Sequence, residues 1–407
     1  MPLGTTGFVG ERLVEAREAR GLTNASLAEI LGVSTTAISQ YEHGRVSPRP
    51  EVMSTIAEKL NLPVSFFLRP ISSQHEEATL FWRSLSSATK QARTKARRRF
   101  HWLKEIVGYL REYLDFPEVH LPTFNLPKDI LELTGDDIEE LARDCRQFWN
   151  IGDGPLADVV LFLESNGVIV SRGKLEAEKL DAFSQWKVID DTPYVFLTSD
   201  KMSAVRSRLD AGHELAHLVL HRNVPARQIA NPKVHRILEW QAFRFGSAFL
   251  LPSSSFMNEL WSPTLDAFHS LKDRWKVSIG AMTKRCEELG IIDEEQARRM
   301  WMNYGRRGWR TEEPLDDRLP VEKPRLLSRS VELLVNERVK TREQILLDLP
   351  YAQTDIEELT GLTRGYLTGI GEVVPKLREP KIAEVLNGSG KVVSYNAPQN
   401  LDQLLRW

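Results

Sequence analysis

Two histidines four residues apart, His213 and His217, with Glu214 beside the first, fix more of this chain's structure than any other short pattern in it. They stand in the run Ala211-Gly-His-Glu-Leu-Ala-His-Leu-Val-Leu-His221. On an α-helix, residues four apart share one face about one turn apart, so both imidazoles can reach one ion. Leu215, Leu218, Val219 and Leu220 supply the apolar flanks that bury such a helix. Glu214 is placed to take a proton from water activated by the ion. A catalytic zinc needs a third protein ligand and an open fourth position. His221 lies about 12 Å from His213 along a straight helix axis, too far to share an ion whose bonds are about 2.1 Å. It is expected to support the site or to face the surface. Glu239, on the next long helix, is the better third ligand. Its helix face runs on through Ala242 and Gly246, whose small side chains let two helices come close. His235, one turn earlier, is a weaker candidate.

A second pattern occupies the N-terminus. Thr23 can cap a helix carrying Leu27, Ala28 and Leu31, and Gly32 permits a tight turn after it. Ser34 can cap a following helix that Val33, Ile38 and Tyr41 pin in place. Thr35, Thr36, Ser39 and Gln40 then point outwards at the end of the helix that would enter a major groove. Short hydroxyls and an amide can bond base edges without burying charge. Residues 8–70 read as five short helices in all.

Net charge is −2 over 407 residues and excludes nothing. The first 70 residues balance seven basic against seven acidic side chains. A surplus lies in 83–104, where Arg83, Lys90, Arg93, Lys95, Arg97, Arg98, Arg99 and Lys104 meet no acidic residue. This segment is expected either as a solvated helix face or as a phosphate-contacting or inter-domain element. Two distant cysteines, Cys145 and Cys286, build no disulfide framework, which fits a reducing cytoplasm. No stretch is long and apolar enough to span a membrane, and no signal peptide is expected.

The periodicities predict a helix over 87–115, another over 136–165, and three short strands at Val168–Ser171, Ala182–Val188 and Tyr194–Leu197. Helices are expected over Lys201–Leu220 and Val234–Leu251, and helix-like sequence continues to Leu377. Leu271–Arg285, with Val277-Ser278 at its turn, reads as a weaker second helix-turn-helix.

Gly10–Arg69 resembles the XRE (lambda-repressor-like) family. The resemblance aligns Thr35, Thr36 and Gln40 with base-facing positions and sets Asn24, His43 and Arg45 near phosphates. It implies a double-stranded DNA operator as partner and a homodimer as the binding form. The run Phe196…Arg206…Asp210-Ala-Gly-His-Glu-Leu-Ala-His…Glu239-Trp-Gln-Ala242-Phe-Arg-Phe245-Gly-Ser-Ala-Phe-Leu-Leu-Pro252 resembles the ImmA/IrrE metallopeptidase family. That likeness extends loosely over 153–309. It implies zinc as cofactor, His213, His217 and Glu239 as its ligands, and Glu214 as general base. Gly246 stands where that family usually has alanine, and Phe243 where it often has asparagine or histidine.

The fold expected is α+β and predominantly helical. A lambda-repressor-like DNA-binding domain spans 1–70 and a basic helical linker 71–135. A zincin-like metallopeptidase domain with a small β-sheet spans 136–310, and a helical region 311–407. The function implied is a cytoplasmic transcription regulator of stress, prophage or defence genes. It would act by metal-dependent proteolysis of an XRE-type repressor or of itself. The alternative is a non-enzymatic regulator whose zinc fold senses a ligand, a metal or a protein partner.

Overall fold

The computed structural model describes residues 4–71, 80–82, 89–175, 181–187, 191–200, 203–369, 385–386 and 392–393. The chain forms two units, Met1–Gly369 and Ile370–Trp407. Of the second, the described part is a short antiparallel ladder in which Val385–Leu386 pairs with Val392–Val393. Among the described residues no helix is long and apolar enough to cross a membrane.

The larger unit opens with four helices, α1 (Gly10–Ala19), α2 (Asn24–Leu31), α3 (Thr35–Glu42) and α4 (Pro50–Leu60), and a 3₁₀ turn at Val64–Leu68. Thr23 and Ser34 cap α2 and α3 through hydrogen bonds to Ser26 N and Ala37 N. Gly32 ends α2 in the left-handed region at φ 65°, where a side chain would be strained. Strand β1 (Leu80–Trp82) precedes α5 (Lys90–Arg111), a helix of 22 residues with Thr89 as its cap.

The single helix predicted over 136–165 is two helices, α6 (Gly135–Phe148) and α7 (Val159–Ser165). Asn150 and Gly152 take positive φ between them, and Pro155 cannot continue a helix. The buried Arg146 donates to the carbonyls of Gly152, Gly154 and Phe249, pinning this loop to the interior. Strands β2 (Ile169–Gly173), β3 (Ala182–Lys187) and β4 (Thr192–Thr198) follow, close to the predicted runs. Val188 and Lys201 of the predicted elements, Arg83 of the basic segment, the first two residues of the helix predicted over 87–115, and 370–377 of the helix-like C-terminal sequence lie outside the described residues. Next come α8 (Ala204–Leu220), the short α9 (Ala226–Ile229) and α10 (Pro232–Leu250). The remaining helices are α11 (Ser253–Glu259), α12 (Leu265–Trp275), α13 (Ile279–Glu288), α14 (Glu294–Arg306), α15 (Leu326–Asn336), α16 (Arg342–Asp348) and α17 (Gln353–Thr360).

The sheet order is β1-β3-β4-β2. β2 runs parallel to β4, while β3 runs antiparallel to both β4 and β1. β4 is buried along its whole length, which explains its continuous apolar run instead of an alternating one. Successive residues of a strand face opposite sides, and here the two sides belong to two different cores. Tyr194 and Phe196 join a core with Phe100 and Leu103 of α5, Leu13 and Ile38 of the N-terminal helices, and Ile356 and Leu359 of α17. Val195 and Leu197 join the other core, with Ala211, Leu215 and Val219 of α8 and Phe245 and Phe249 of α10. The α+β, mostly helical architecture is as the sequence implied.

Polar contacts tie the first core together. The Trp102 indole of α5 donates to Glu15 Oε1 at 2.7 Å, beside a buried Arg12–Glu15 pair. Asp355 of α17 accepts from Arg20 at 2.6 and 2.9 Å and from Arg99 at 3.3 Å, and Arg99 also donates to Glu358 at 2.7 Å. Arg98 donates to Glu18 at 2.8 Å. Much of the basic segment is therefore an intramolecular element. Arg97 remains exposed.

Candidate metal centre and candidate DNA-reading helix

The metal-ligand candidates come together where α8 crosses α10. A Cβ built on Gly246 would stand 2.9 Å from His213 N and 3.1 Å from the Gly212 carbonyl carbon, so the two backbones touch at this crossing. Only a residue without a side chain fits there. Glu239 lies seven residues before Gly246, two turns away on nearly the same face, and so points at α8.

His213 Nε2 and His217 Nε2 are 3.1 Å apart. Glu239 Oε2 lies 3.4 Å from His213 Nε2, and Glu239 Oε1 lies 3.3 Å from His217 Nε2. Ligand atoms around a tetrahedral zinc with bonds of about 2.1 Å are separated by roughly 3.4 Å. The three side chains thus converge on one point at coordination spacing. They form the one such group found among the described residues. Two imidazoles and a carboxylate are a donor set that zinc accepts with one position left open.

Both histidines are buried, at 0% and 1% exposure. Burial, with His235 nearby, pushes the His217 pKa down to about 3, which keeps the ring neutral, as a metal ligand must be. Glu214 is fully buried on the same helix. On the α10 side of the group, Glu239, His235 and Phe243 are half-buried and Trp240 is exposed. Phe243 meets the His213 ring edge-to-face, with centroids 4.4 Å apart. His235 Nε2 is 3.7 Å from Glu239 Oε1, outside the coordination spacing of the other three.

His221 is no surface residue. It is fully buried at the C-cap of α8. Its Nδ1 lies 2.9 Å from His217 Nδ1 and its Nε2 lies 3.0 Å from Gln241 Oε1. Gln241 Nε2 in turn donates to the Ile130 carbonyl at 2.8 Å. Burial above all holds the His221 pKa well below the usual histidine value. Sequence reasoning missed Gln241 entirely, since an amide two residues beyond Glu239 carries no motif. The spacing of His217 and His221, one helical turn, was the signal available.

In the N-terminal helices, Thr35, Thr36 and Gln40 are exposed on α3 and Ser39 is half-buried. Leu27, Ala28 and Ile38 form the buried side of the α2–α3 pair. His43 and Arg45 are exposed just after α3, and His43 Nδ1 lies 2.7 Å from the Ser39 carbonyl. Asn24 is half-buried and reaches Glu42 at 3.4 Å, where Arg17 already pairs with that carboxylate at 2.5 Å.

The weaker second helix-turn-helix reading finds its two helices and its turn in the structure. α12 and α13 exist, with Lys276 at positive φ and Ser278 as cap. Yet Glu313 accepts from Ile279 N at 2.8 Å and Gly280 N at 3.0 Å, covering the helix end that would have to enter a groove. That carboxylate is held by the buried Lys272 at 2.8 Å and by Tyr304 at 2.8 Å.

Two family models match segments of the chain. No curated protein matches the chain. Residues 13–67 match the helix-turn-helix family model. Residues 163–287, which contain His213, Glu214, His217 and Glu239, match the IrrE N-terminal-like domain model. The chain joins an XRE-type helix-turn-helix to an ImmA/IrrE-type peptidase-like domain.

Proposed function

We propose that this chain is a transcription regulator that binds a double-stranded DNA operator through α3 and hydrolyses peptide bonds at a zinc centre held by His213, His217 and Glu239. The substrate in this reading is an XRE-type repressor or the chain itself, in the cytoplasm, with the DNA-binding form a homodimer. The observation that carries it is the convergence of three side chains, with nitrogen and oxygen atoms 3.1–3.4 Å apart, and the buried Glu214 carboxyl on the helix of the two histidines.

When bound, zinc supplies a Lewis acid that polarises a peptide carbonyl and makes water more acidic. Glu214 adjoins His213 in sequence and serves as general base, taking the proton of the attacking water and passing it to the leaving amine. Its burial removes competing solvent. The half-buried rim of Phe243, His235 and Glu239 is where a substrate enters. On the DNA side, Thr35, Thr36, Ser39 and Gln40 read bases, while Asn24, His43 and Arg45 contact or orient contacts to phosphate. The proposed domains are a reader over 1–70, a basic helical connector over 71–135, a peptidase domain over 136–310 and a C-terminal region over 311–407.

Glu214→Gln tests the reading. The amide keeps size and hydrogen bonding but cannot accept a proton, so zinc content and operator affinity should match wild type. Peptide-bond hydrolysis should fall about 100- to 10,000-fold, and reporter induction at matched protein levels should disappear. Unchanged induction would leave the metal domain as a ligand- or partner-sensing module.

A further inference from the structure

The two buried side chains behind His217 form a hydrogen-bond chain with one permitted direction. It begins at the Ile130 backbone carbonyl, which lies in a 3₁₀ turn (Ile130–Glu132) outside the helices that carry the ligands. A carbonyl can only accept. The Gln241 group at 2.8 Å from it must therefore be the NH₂, which turns the Gln241 carbonyl oxygen towards His221. That oxygen also only accepts, so His221 must carry its proton on Nε2. A neutral ring with Nε2–H presents a bare lone pair on Nδ1. The atom facing that lone pair at 2.9 Å is His217 Nδ1, which must then be the protonated nitrogen of its own ring. What is left is the His217 Nε2 lone pair, and it points at His213 Nε2 and Glu239 Oε1.

We infer that His221 and Gln241 are positioning residues that lock His217 in the Nδ1–H tautomer and aim its Nε2 lone pair at the metal position. The inference rests on the zinc reading above for its purpose, and on the hydrogen-bond geometry alone for its content. Partners of this kind fix ring orientation and ligand basicity, and their loss typically weakens metal binding by about 10- to 100-fold. The arrangement anchors a ligand of α8 through α10 to a backbone carbonyl of the segment before α6. His221 is thus too distant to ligate, yet its burial and its two partners are explained.

The test uses the full-length chain, first metal-free and then loaded with zinc. Long-range ¹H–¹⁵N spectra of the imidazole rings assign each tautomer. The metal-free wild type should show His217 as Nδ1–H and His221 as Nε2–H. In Gln241→Met, which keeps the volume and removes both hydrogen bonds, the His221 tautomer should become mixed. Zinc affinity, read by competition with a chromophoric chelator, should fall about 10- to 100-fold in His221→Phe and in Gln241→Met. His221→Gln, whose amide oxygen again offers an acceptor to His217 Nδ1–H, should recover part of the loss. Far-ultraviolet circular dichroism checks that each variant is folded; if His221→Phe is not, Gln241→Met carries the measurement. A His217 ring protonated on Nε2 in the metal-free wild type overturns the inference. So does zinc affinity within twofold of wild type in a folded His221→Phe. Failure of the wild type itself to take up zinc would instead refute the metal reading, and the ring tautomers would still decide the hydrogen-bond chain.

Discussion

Replacing Gly246 by alanine sets two effects of opposite sign against each other, and the geometry decides between them. Alanine in a helix interior is favoured over glycine by about 0.5–1 kcal/mol. The added methyl, however, would stand 2.9 Å from His213 N and 3.3 Å from His213 Cα. These are backbone atoms of α8 and cannot swing aside, so the helices must part by roughly half an ångström to restore contacts of about 3.5 Å. Overpacking of this kind costs about 1–3 kcal/mol, and the net effect should be destabilisation by about 1–2 kcal/mol. The metal centre should suffer more, because His213 lies on one helix and Glu239 on the other, while ligand distances tolerate only about 0.2 Å. Zinc affinity should drop by more than tenfold. Gly212→Ala is the control, since its Cβ would meet Gly246 Cα and Leu250 at 3.5 Å, an ordinary contact. It should be neutral or stabilising by up to about 1 kcal/mol and should retain zinc. Urea unfolding of the metal-free chain and chelator competition measure both quantities. A Gly246→Ala protein as stable as Gly212→Ala, with wild-type zinc affinity, would refute the backbone-to-backbone crossing of α8 and α10.

Four further outcomes are expected. Gln40→Ala should weaken specific operator binding by roughly 1–3 kcal/mol while leaving non-specific binding unchanged; equal loss on both in titrations at fixed salt would remove Gln40 from base reading. Arg99→Ala should destabilise the fold by about 1–3 kcal/mol, because it takes the buried guanidinium from Asp355, which keeps Arg20, and from the partly exposed Glu358. Arg97→Ala should instead preserve the urea midpoint and lower the salt slope of DNA binding by about one if the exposed guanidinium meets phosphate. Burial opposes ionisation of Glu105, yet hydrogen bonds from His101 and Tyr351 and the charge of Arg12 hold its pKa down at about 2. A carboxyl depressed from 4.5 contributes stability above that pH and loses it as pH falls towards 2. Over that window the wild type should lose more stability than Glu105→Gln in acid titrations followed by circular dichroism; parallel curves would contradict the pairing.

The elements that carry a local rule were legible in the sequence. Thr23, Gly32 and Ser34 announce the α2–α3 turn because caps and positive-φ positions are decided within a few residues. His213 and His217 announce a shared helix face for the same reason, and the structure brings Glu239 to it. The break between α6 and α7 was also available, in Asn150, Gly152 and Pro155, and the apolar periodicity on either side concealed it. Gly246 was visible as a departure from the resembled family, but only the crossing with α8 shows why a methyl is excluded there. Gln241 was illegible because its role depends on a carbonyl 111 residues away.

Charge counting left the basic segment open between a solvated face, a phosphate contact and an inter-domain element for the same physical reason. The basic run of α5 looked like a candidate phosphate surface because its counter-charges are remote: Arg99 finds Glu358 at a separation of 259 residues, and Arg98 finds Glu18 at 80. Once placed, those pairs assign α5 a different task. Phe100 and Leu103 press on the sheet face opposite α8, while Trp102 and Arg98 hold α1. β4 is the shared wall: Tyr194 and Phe196 belong to the core of the DNA-reading helices, and Val195 and Leu197 to the core of the metal helices. Because alternate residues of one strand cannot move independently, a displacement of α8 that shifts β4 must be felt by α5, and through Trp102 and Arg98 by α1. The N-terminal helices and the helices that carry His213, His217 and Glu239 are therefore packed on two faces of one sheet, and the basic helix on the first face is a structural joint.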